Sequence, residues 1–187
     1  NVAEHVIDML FPPGAPKRVP IFSITGTNGK TTVTRLIAHI LKNAGCSVGF
    51  TTTDGTYIGN NLIVAGDNTG PVSAQLVLKD PTVDVAVLET ARGGIIRSGL
   101  GFDFSDVGVV TNIAADHLGL KDVNTLEDLA RVKSVVPRSV SRKGYAVLNA
   151  EDDHVYEMRK MVDGNVALFS MDENNERIRE HAILRTI

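Results

Sequence analysis

Cysteine is almost missing from this chain. Its one copy, Cys46, cannot close an internal disulfide, which fits a reducing, cytoplasmic setting. An excess of basic charge is missing too. Nineteen Lys and Arg against 22 Asp and Glu give a net charge of −3, so no surface is expected for nucleic acid or an anionic membrane. No apolar run is long enough to span a bilayer, and no secretory leader is visible. What is present, 187 residues with 43 % hydrophobic and 22 % charged, suits one well-buried globular domain and is short for two.

Val2–Leu10 has helical spacing of apolar residues, and "FPPGAPKR" then breaks it with prolines and a glycine. Residues 1–18 thus read as a helix and a linker from an upstream region. Val19–Ile24 is a short β-rich run. After Lys30, the residues Val33, Leu36, Ile37, Ile40 and Leu41 mark one helix face that Gly45 ends. Strand-like runs recur at Ser47–Thr51, Val83–Leu88, Val107–Val110, Tyr145–Leu148 and Val166–Phe169. Helical stretches fall at Val72–Leu78, Leu126–Val136 and His154–Met161. "GTYIGNNLIVAG" reads as a small hairpin turning at Gly59–Asn61. Alternation of strands and helices predicts an α/β fold, a mostly parallel sheet with helices on both faces, over residues 19–175. Residues 176–187 read as a tail with no evident final element, ahead of a further domain.

The stretch "SITGTNGKTT", Ser23–Thr32, carries the chemistry. The common phosphate-loop spelling places a glycine six residues before the lysine, where this chain has Ile24. The physics does not need that glycine. Gly26 and Gly29 let the backbone bend so that N–H groups of Thr27, Asn28 and their neighbours converge on phosphate oxygens, and the positive end of the following helix adds to the pull. Lys30 reaches terminal phosphates, and the hydroxyl of Thr31, with Thr32 beside it, is placed for magnesium. The alternative is a glycine turn before an ordinary helix. Glu89 ends an apolar strand, where ligands and metals gather in open parallel sheets; it reads either as a metal-binding carboxylate or as an acid facing water. His117 alone reads as a solvated or capping residue, Asp116 as a cap, and Lys133 as a surface lysine flanking a buried helix face. Asn149 offers a donor and an acceptor that match the adenine edge, or it serves a strand-to-helix turn. Asp152 or Asp153 reads as a helix N-cap.

The spelling G-T-N-G-K-T-T resembles that of the Mur ligase superfamily. "LETARGGIIRSGLGFD", "TNIAADHLG", "TLEDLARVKSVV", "YAVLNAEDD" and "DNTGPVSA" extend the likeness over Val19 to about Asn174, with the cyanophycin synthetase family the nearest in spelling. The resemblance implies a P-loop NTPase-like central domain. It also implies ATP and Mg2+ as cofactors, with Thr31, Glu89, His117 and Lys133 holding the metal, the last as a carbamate, and Asn149 on the adenine. It implies a ligase that turns a carboxylate into an acyl phosphate and joins it to an amine. For this family the acid is an aspartate-rich polymer and the amine is arginine. An ATP-grasp region upstream, a C-terminal domain downstream and a homo-oligomeric whole complete the expectation, with the 187 residues alone inactive.

Three residues carry the substrate reading. Arg92 and Arg97 could grip a carboxylate between them, or pair with Asp103 or Asp106. Thr69 in "DNTGP" could touch substrate, as could the polar run Thr51–Thr53. Other functions stay open at this point: another ligase of the superfamily, such as a glutamate-adding one, or a nucleotide-operated binding switch.

Overall fold

The computed structural model describes residues 2–10, 18–115, 119 and 123–184. Its centre is one eight-stranded sheet in the order β4-β3-β2-β5-β1-β6-β7-β8. The strands are β1 (Ile21–Thr25), β2 (Val48–Thr52), β3 (Gly55–Ile58), β4 (Asn61–Ala65), β5 (Val85–Glu89), β6 (Ser105–Val110), β7 (Val140–Asn149) and β8 (Asn165–Phe169). From β2 to β8 in that order the neighbours pair in parallel, whereas β3 and β4 are antiparallel additions. The predicted hairpin is therefore an extension of the main sheet, with β4 as its exposed edge.

Eight α-helices occur among the described residues: α1 (Val2–Leu10), α2 (Lys30–Asn43), α3 (Pro71–Lys79), α4 (Arg92–Ser98), α5 (Leu126–Lys133), α6 (Val135–Arg138), α7 (Asp153–Glu157) and α8 (Glu176–Leu184). The predicted helix Leu126–Val136 is thus split in two at Ser134, and that at His154–Met161 finishes in a 3₁₀ turn, Met158–Met161. Two helices escaped the sequence reading. α4 forms over "RGGIIRS" in spite of its glycines, and α8 occupies the segment read as a tail. Linker residues 11–17 and residues 185–187 lie outside the described residues.

Alternate strand residues point to opposite faces, so the packing partners sort the helices. Ile24, Val85 and Val87 pack with Val33, Ile37, Ala38 and Leu41 of α2 on one face. Ile21, Ala86 and Leu88 pack with Ala74 and Val77 of α3 on the other, and Val110, Ala146 and Leu148 pack there with α5 and α7. The apolar stripe forecast for α2 needs correction, because Leu36 and Ile40 are each 57 % exposed while Thr34 and Ala38 are buried instead. The sheet meets α2 on a face rotated away from that pair.

β1 lies between β5 and β6, and the chain runs from β1 to either side, so a crevice opens at its carboxyl end. Below it, Asp106 accepts hydrogen bonds from Arg18 and from the Ile21 N–H, tying the start of β1 to β6. Leu148→Ala, at a fully buried position near the C-terminal end of β7, is expected to lower unfolding free energy by about 2–5 kcal/mol, measured by denaturant titration.

Candidate functional site

β1 delivers the chain into a tight loop, Gly26–Gly29, that opens directly into α2. Gly26 and Gly29 have φ of 145° and 81°, which side-chain-bearing residues rarely adopt. At Gly26 there is also no room: a Cβ there would fall 1.8 Å from Thr111 Oγ1. The N-cap of α2 is Gly29, which offers no side chain, so the first-turn N–H groups of Lys30, Thr31 and Thr32 have no capping side chain and no intrahelical acceptor. They and the helix dipole face the crevice as a ready anion site.

The outer side of the loop is strapped down by residues 111–114, which follow β6. Thr27 N donates to Asn112 O at 2.9 Å. Asn28 N donates to Asn112 Oδ1 at 2.9 Å, and Asn112 Nδ2 donates back to Asn28 O at 3.2 Å. Thr111 Oγ1 donates to the same carbonyl at 2.7 Å, and Ala114 N donates to Thr27 Oγ1 at 3.0 Å. The N–H groups of Thr27 and Asn28, expected on phosphate, serve the strap here, and the first-turn N–H groups of α2 are the ones left open toward the crevice. The sequence reading missed Thr111 and Asn112, although an amide just after a central strand beside a glycine loop is a signal for such a clasp.

Glu89 ends β5 next to the loop, paired in register with Ile24. It is 2 % exposed, so the reading of it as an acid facing water is set aside. Its Oε2 accepts a 2.8 Å hydrogen bond from Thr31 Oγ1, which also contacts Thr53 Oγ1 at 3.2 Å. Its Oε1 has no partner among the described residues. Burial pushes its pKa up, and the Thr31 hydroxyl, the Lys30 charge and the Thr53 backbone N–H oppose that only in part. Thr51 and Thr52 are buried strand residues, so only Thr53 of that run reaches the site.

Among the described residues no three His, Cys, Asp or Glu side chains gather as a metal cage. A threonine hydroxyl and one carboxylate are instead the partial set of hard oxygens that magnesium takes, completed by water and phosphate. The orphan carboxylate oxygen fits a cation there.

Lys133 is not a surface residue. At 3 % exposed it donates from Nζ to Gly26 O at 2.7 Å, across from α5 to the loop. The helix that carries it is held by a capping box between Thr125 and Asp128. Lys30 Nζ donates to Thr27 O at 2.8 Å. Both lysines line a cavity of about 190 Å³ with Gly26, Ala91, Arg92 and Gly93.

Arg92 and Arg97 do not share a grip. Five residues apart on a helix, they lie roughly 140° apart. Arg92 lines the lysine cavity, while Arg97 lines a second one of about 240 Å³ with Thr69 and the start of α3. Neither pairs with Asp106, which Arg18 holds. Gly94 admits backbone, not ligand: a Cβ there would stand 2.9 Å from Thr69 O. Thr69 Oγ1 donates to Asp67 at 2.7 Å. Asn149 already uses both ends of its amide, donating to Thr111 O and accepting from Glu151 N, each at 2.9 Å. One N–H and one lone pair remain for a ligand. Asp152 caps α7 and accepts from Ile113 N. His117 and Asp116 lie outside the described residues.

The model of the Mur ligase middle domain matches residues 24–186. The chain belongs to this family. As a Mur ligase middle domain it is 64 % identical to the cyanophycin synthetase of Crocosphaera subtropica over 97 % of its own length, and 60 % identical to that of Trichormus variabilis. It spans only 21 % and 20 % of those relatives. A UDP-N-acetylmuramoyl-L-alanyl-D-glutamate–2,6-diaminopimelate ligase of Listeria monocytogenes is 32 % identical, covering 90 % of this chain and 37 % of the relative. A solved ligase of that same name superimposes with a TM-score of 0.68 at 26 % identity, covering 91 % of this chain and 35 % of the other. E. coli FolC, in complex with DHPP and ADP, superimposes with a TM-score of 0.62 at 22 % identity, covering 80 % and 42 %, a likeness of fold.

Two outcomes test this geometry. A carboxyl whose folded-state pKa is raised contributes stability below its ordinary value of 4.5 and loses it as pH rises through the folded-state value. Glu89→Gln should remove that loss and raise the metal-free Tm at pH 7, read by calorimetry, with the gain vanishing below pH 4.5. Asn112→Ala should weaken nucleotide-induced thermal stabilisation far more than it lowers the nucleotide-free Tm, read by calorimetry with and without ATP.

Proposed function

We propose that this chain is the nucleotide-binding core of an ATP-dependent amide ligase, one that adds arginine to the aspartate β-carboxyl of an aspartate-rich polymer. The observation that carries the reading is the meeting of three things at one point: the uncapped start of α2, Lys30, and a buried carboxylate with an unpartnered oxygen. A phosphate loop alone fits a nucleotide switch as well. The similarity to cyanophycin synthetases over 97 % of the chain favours the ligase and its substrates.

The chemistry needs ATP because a carboxylate is a poor acylating agent at neutral pH. A carboxylate oxygen attacks the γ-phosphorus, the bond to the ADP bridging oxygen breaks, and an acyl phosphate forms. The α-amine then attacks the carbonyl carbon, expels inorganic phosphate and loses a proton, leaving the amide. The enzyme's work is placement and charge neutralisation. The first-turn N–H groups and the Lys30 ammonium hold the terminal phosphates. Thr31 and Glu89 would hold magnesium, which supplies positive charge against the phosphate oxygens. His117 and Lys133 are proposed to join them, Lys133 as a carbamate, and Asn149 to meet the adenine. The second cavity is the proposed place for the acidic polymer: Arg97 and the α3 N-terminus, capped only by Gly70, both favour a carboxylate there, against the charge of Asp67 on the same wall. Among the described residues no helix is long and apolar enough to cross a membrane. An ATP-grasp region, a C-terminal domain, a homo-oligomeric assembly and a cytoplasmic location belong to the same proposal.

The full-length protein should release ADP only when arginine and polymer are both present, with amide formed in equal amount. Glu89→Gln should lower kcat by about 10²–10³-fold, while Arg97→Ala should mainly raise the KM for polymer. ADP release without amide product would favour a switch. The 187 residues alone should bind nucleotide weakly and not turn over; amide synthesis by them would contradict this.

A further inference from the structure

We propose that Asp54, held by Arg35 of α2, is a positioning residue of the proposed magnesium site: it fixes the turn that sets Thr53 against Thr31 and Glu89. The inference rests on the reading of Thr31 and Glu89 as metal ligands given above.

Thr52 pairs with Gly55, so Thr53 and Asp54 are the two residues of the turn that joins β2 to β3. α2 meets this turn with Thr31 and Arg35, which lie one above the other on the same side of the helix. Thr31 Oγ1 stands 3.2 Å from Thr53 Oγ1 and donates its one proton to Glu89 Oε2 at 2.8 Å. The bond between the two threonines therefore runs from the Thr53 hydroxyl to Thr31 Oγ1. Of the two lone pairs on Thr31 Oγ1, Thr53 takes one and leaves the other for a cation. Thr53 thereby sets the direction from which Thr31 can bind a metal. Its backbone N–H also bears on the Glu89 carboxylate. A shift of the turn would disturb both groups proposed to hold magnesium.

Arg35 Nη2 donates to Asp54 Oδ2 and, at 3.2 Å, to the Tyr57 hydroxyl. That hydroxyl donates to Asp54 Oδ2 at 3.2 Å, and Thr52 Oγ1 donates to Asp54 Oδ1. Tyr57 is itself fixed by stacking on the buried Phe50 of β2, with ring centroids 4.6 Å apart. Three side chains, from α2, β2 and β3, thus converge on the one carboxylate next to Thr53. The Arg35 and Asp54 side chains are 45 % and 53 % exposed, and a pair so exposed adds little to global stability. What it does is join the turn to the helix that carries Thr31, so that the two move together.

The test measures Mn2+ binding to the full-length protein with saturating ADP, by electron paramagnetic resonance. Ion bound at this site is the part that Glu89→Gln removes. Asp54→Ala and Arg35→Ala should each weaken that part by about 10–100-fold, as the loss of a residue that orients a metal ligand does. The double variant should bind no more weakly than the worse single one, because the two residues act as a unit. Asp54→Asn, which keeps an acceptor for Thr52 but not the charge, should fall between. Affinity for ADP without metal should stay as in the unsubstituted protein throughout. Mn2+ affinity that Glu89→Gln lowers but Asp54→Ala and Arg35→Ala leave unchanged would overturn the positioning role and spare the site. An equal loss of metal-free ADP binding, which marks general damage, would overturn it too, as would additive losses in the double variant. Mn2+ binding indifferent to Glu89→Gln would overturn the site reading, and this role with it.

Discussion

Glu89 is held out of water at the end of a central strand, with one oxygen bonded to Thr31 and the other to nothing among the described residues. An unsatisfied buried polar group costs about 1–3 kcal/mol, and more when it is charged. A fold keeps such a group where something else completes it. Its neighbours point to a cation bound together with an anion: Lys30, the open end of α2 and the Thr31 hydroxyl all address the same crevice. Under the proposed function, a metal–nucleotide pair is what would complete this site.

The rest of the domain holds that balance in place. β1 puts Gly26 against Thr111, and residues 111–114 fasten the loop from outside with hydrogen bonds to Thr27 and Asn28. From the far side, α5 reaches in with Lys133 to the Gly26 carbonyl. Loop, strap and lysine come from three separate stretches of chain, and only the parallel sheet brings them together.

Much of this was legible before any coordinates. The strand runs were recovered because buried parallel strands are continuous apolar stretches, and the helix after Lys30 because its glycine boundaries are local signals. Lys30, Thr31 and Glu89 were singled out for the same reason, each sitting at the end of a recognisable element, and they meet at one crevice. Burial was harder to read. Lys133 looked like a surface lysine because nothing local tells that a carbonyl 107 residues away awaits its ammonium. The arginine pair failed because "TARGGIIRSG" turned out to be helical, which sets Arg92 and Arg97 on different sides. Leu36 and Ile40 fitted the helical period, yet periodicity does not say where the covering layer stops.

A crystal structure of the full-length protein with Mg2+ and a non-hydrolysable ATP analogue tests the central claim most directly. The account predicts a metal ion bound by the free oxygen of Glu89 and by Thr31 Oγ1, and Lys30 Nζ released from Thr27 O onto a terminal phosphate oxygen. Nucleotide bound away from the start of α2, or Glu89 left without the metal beside a fully bound nucleotide, would contradict it.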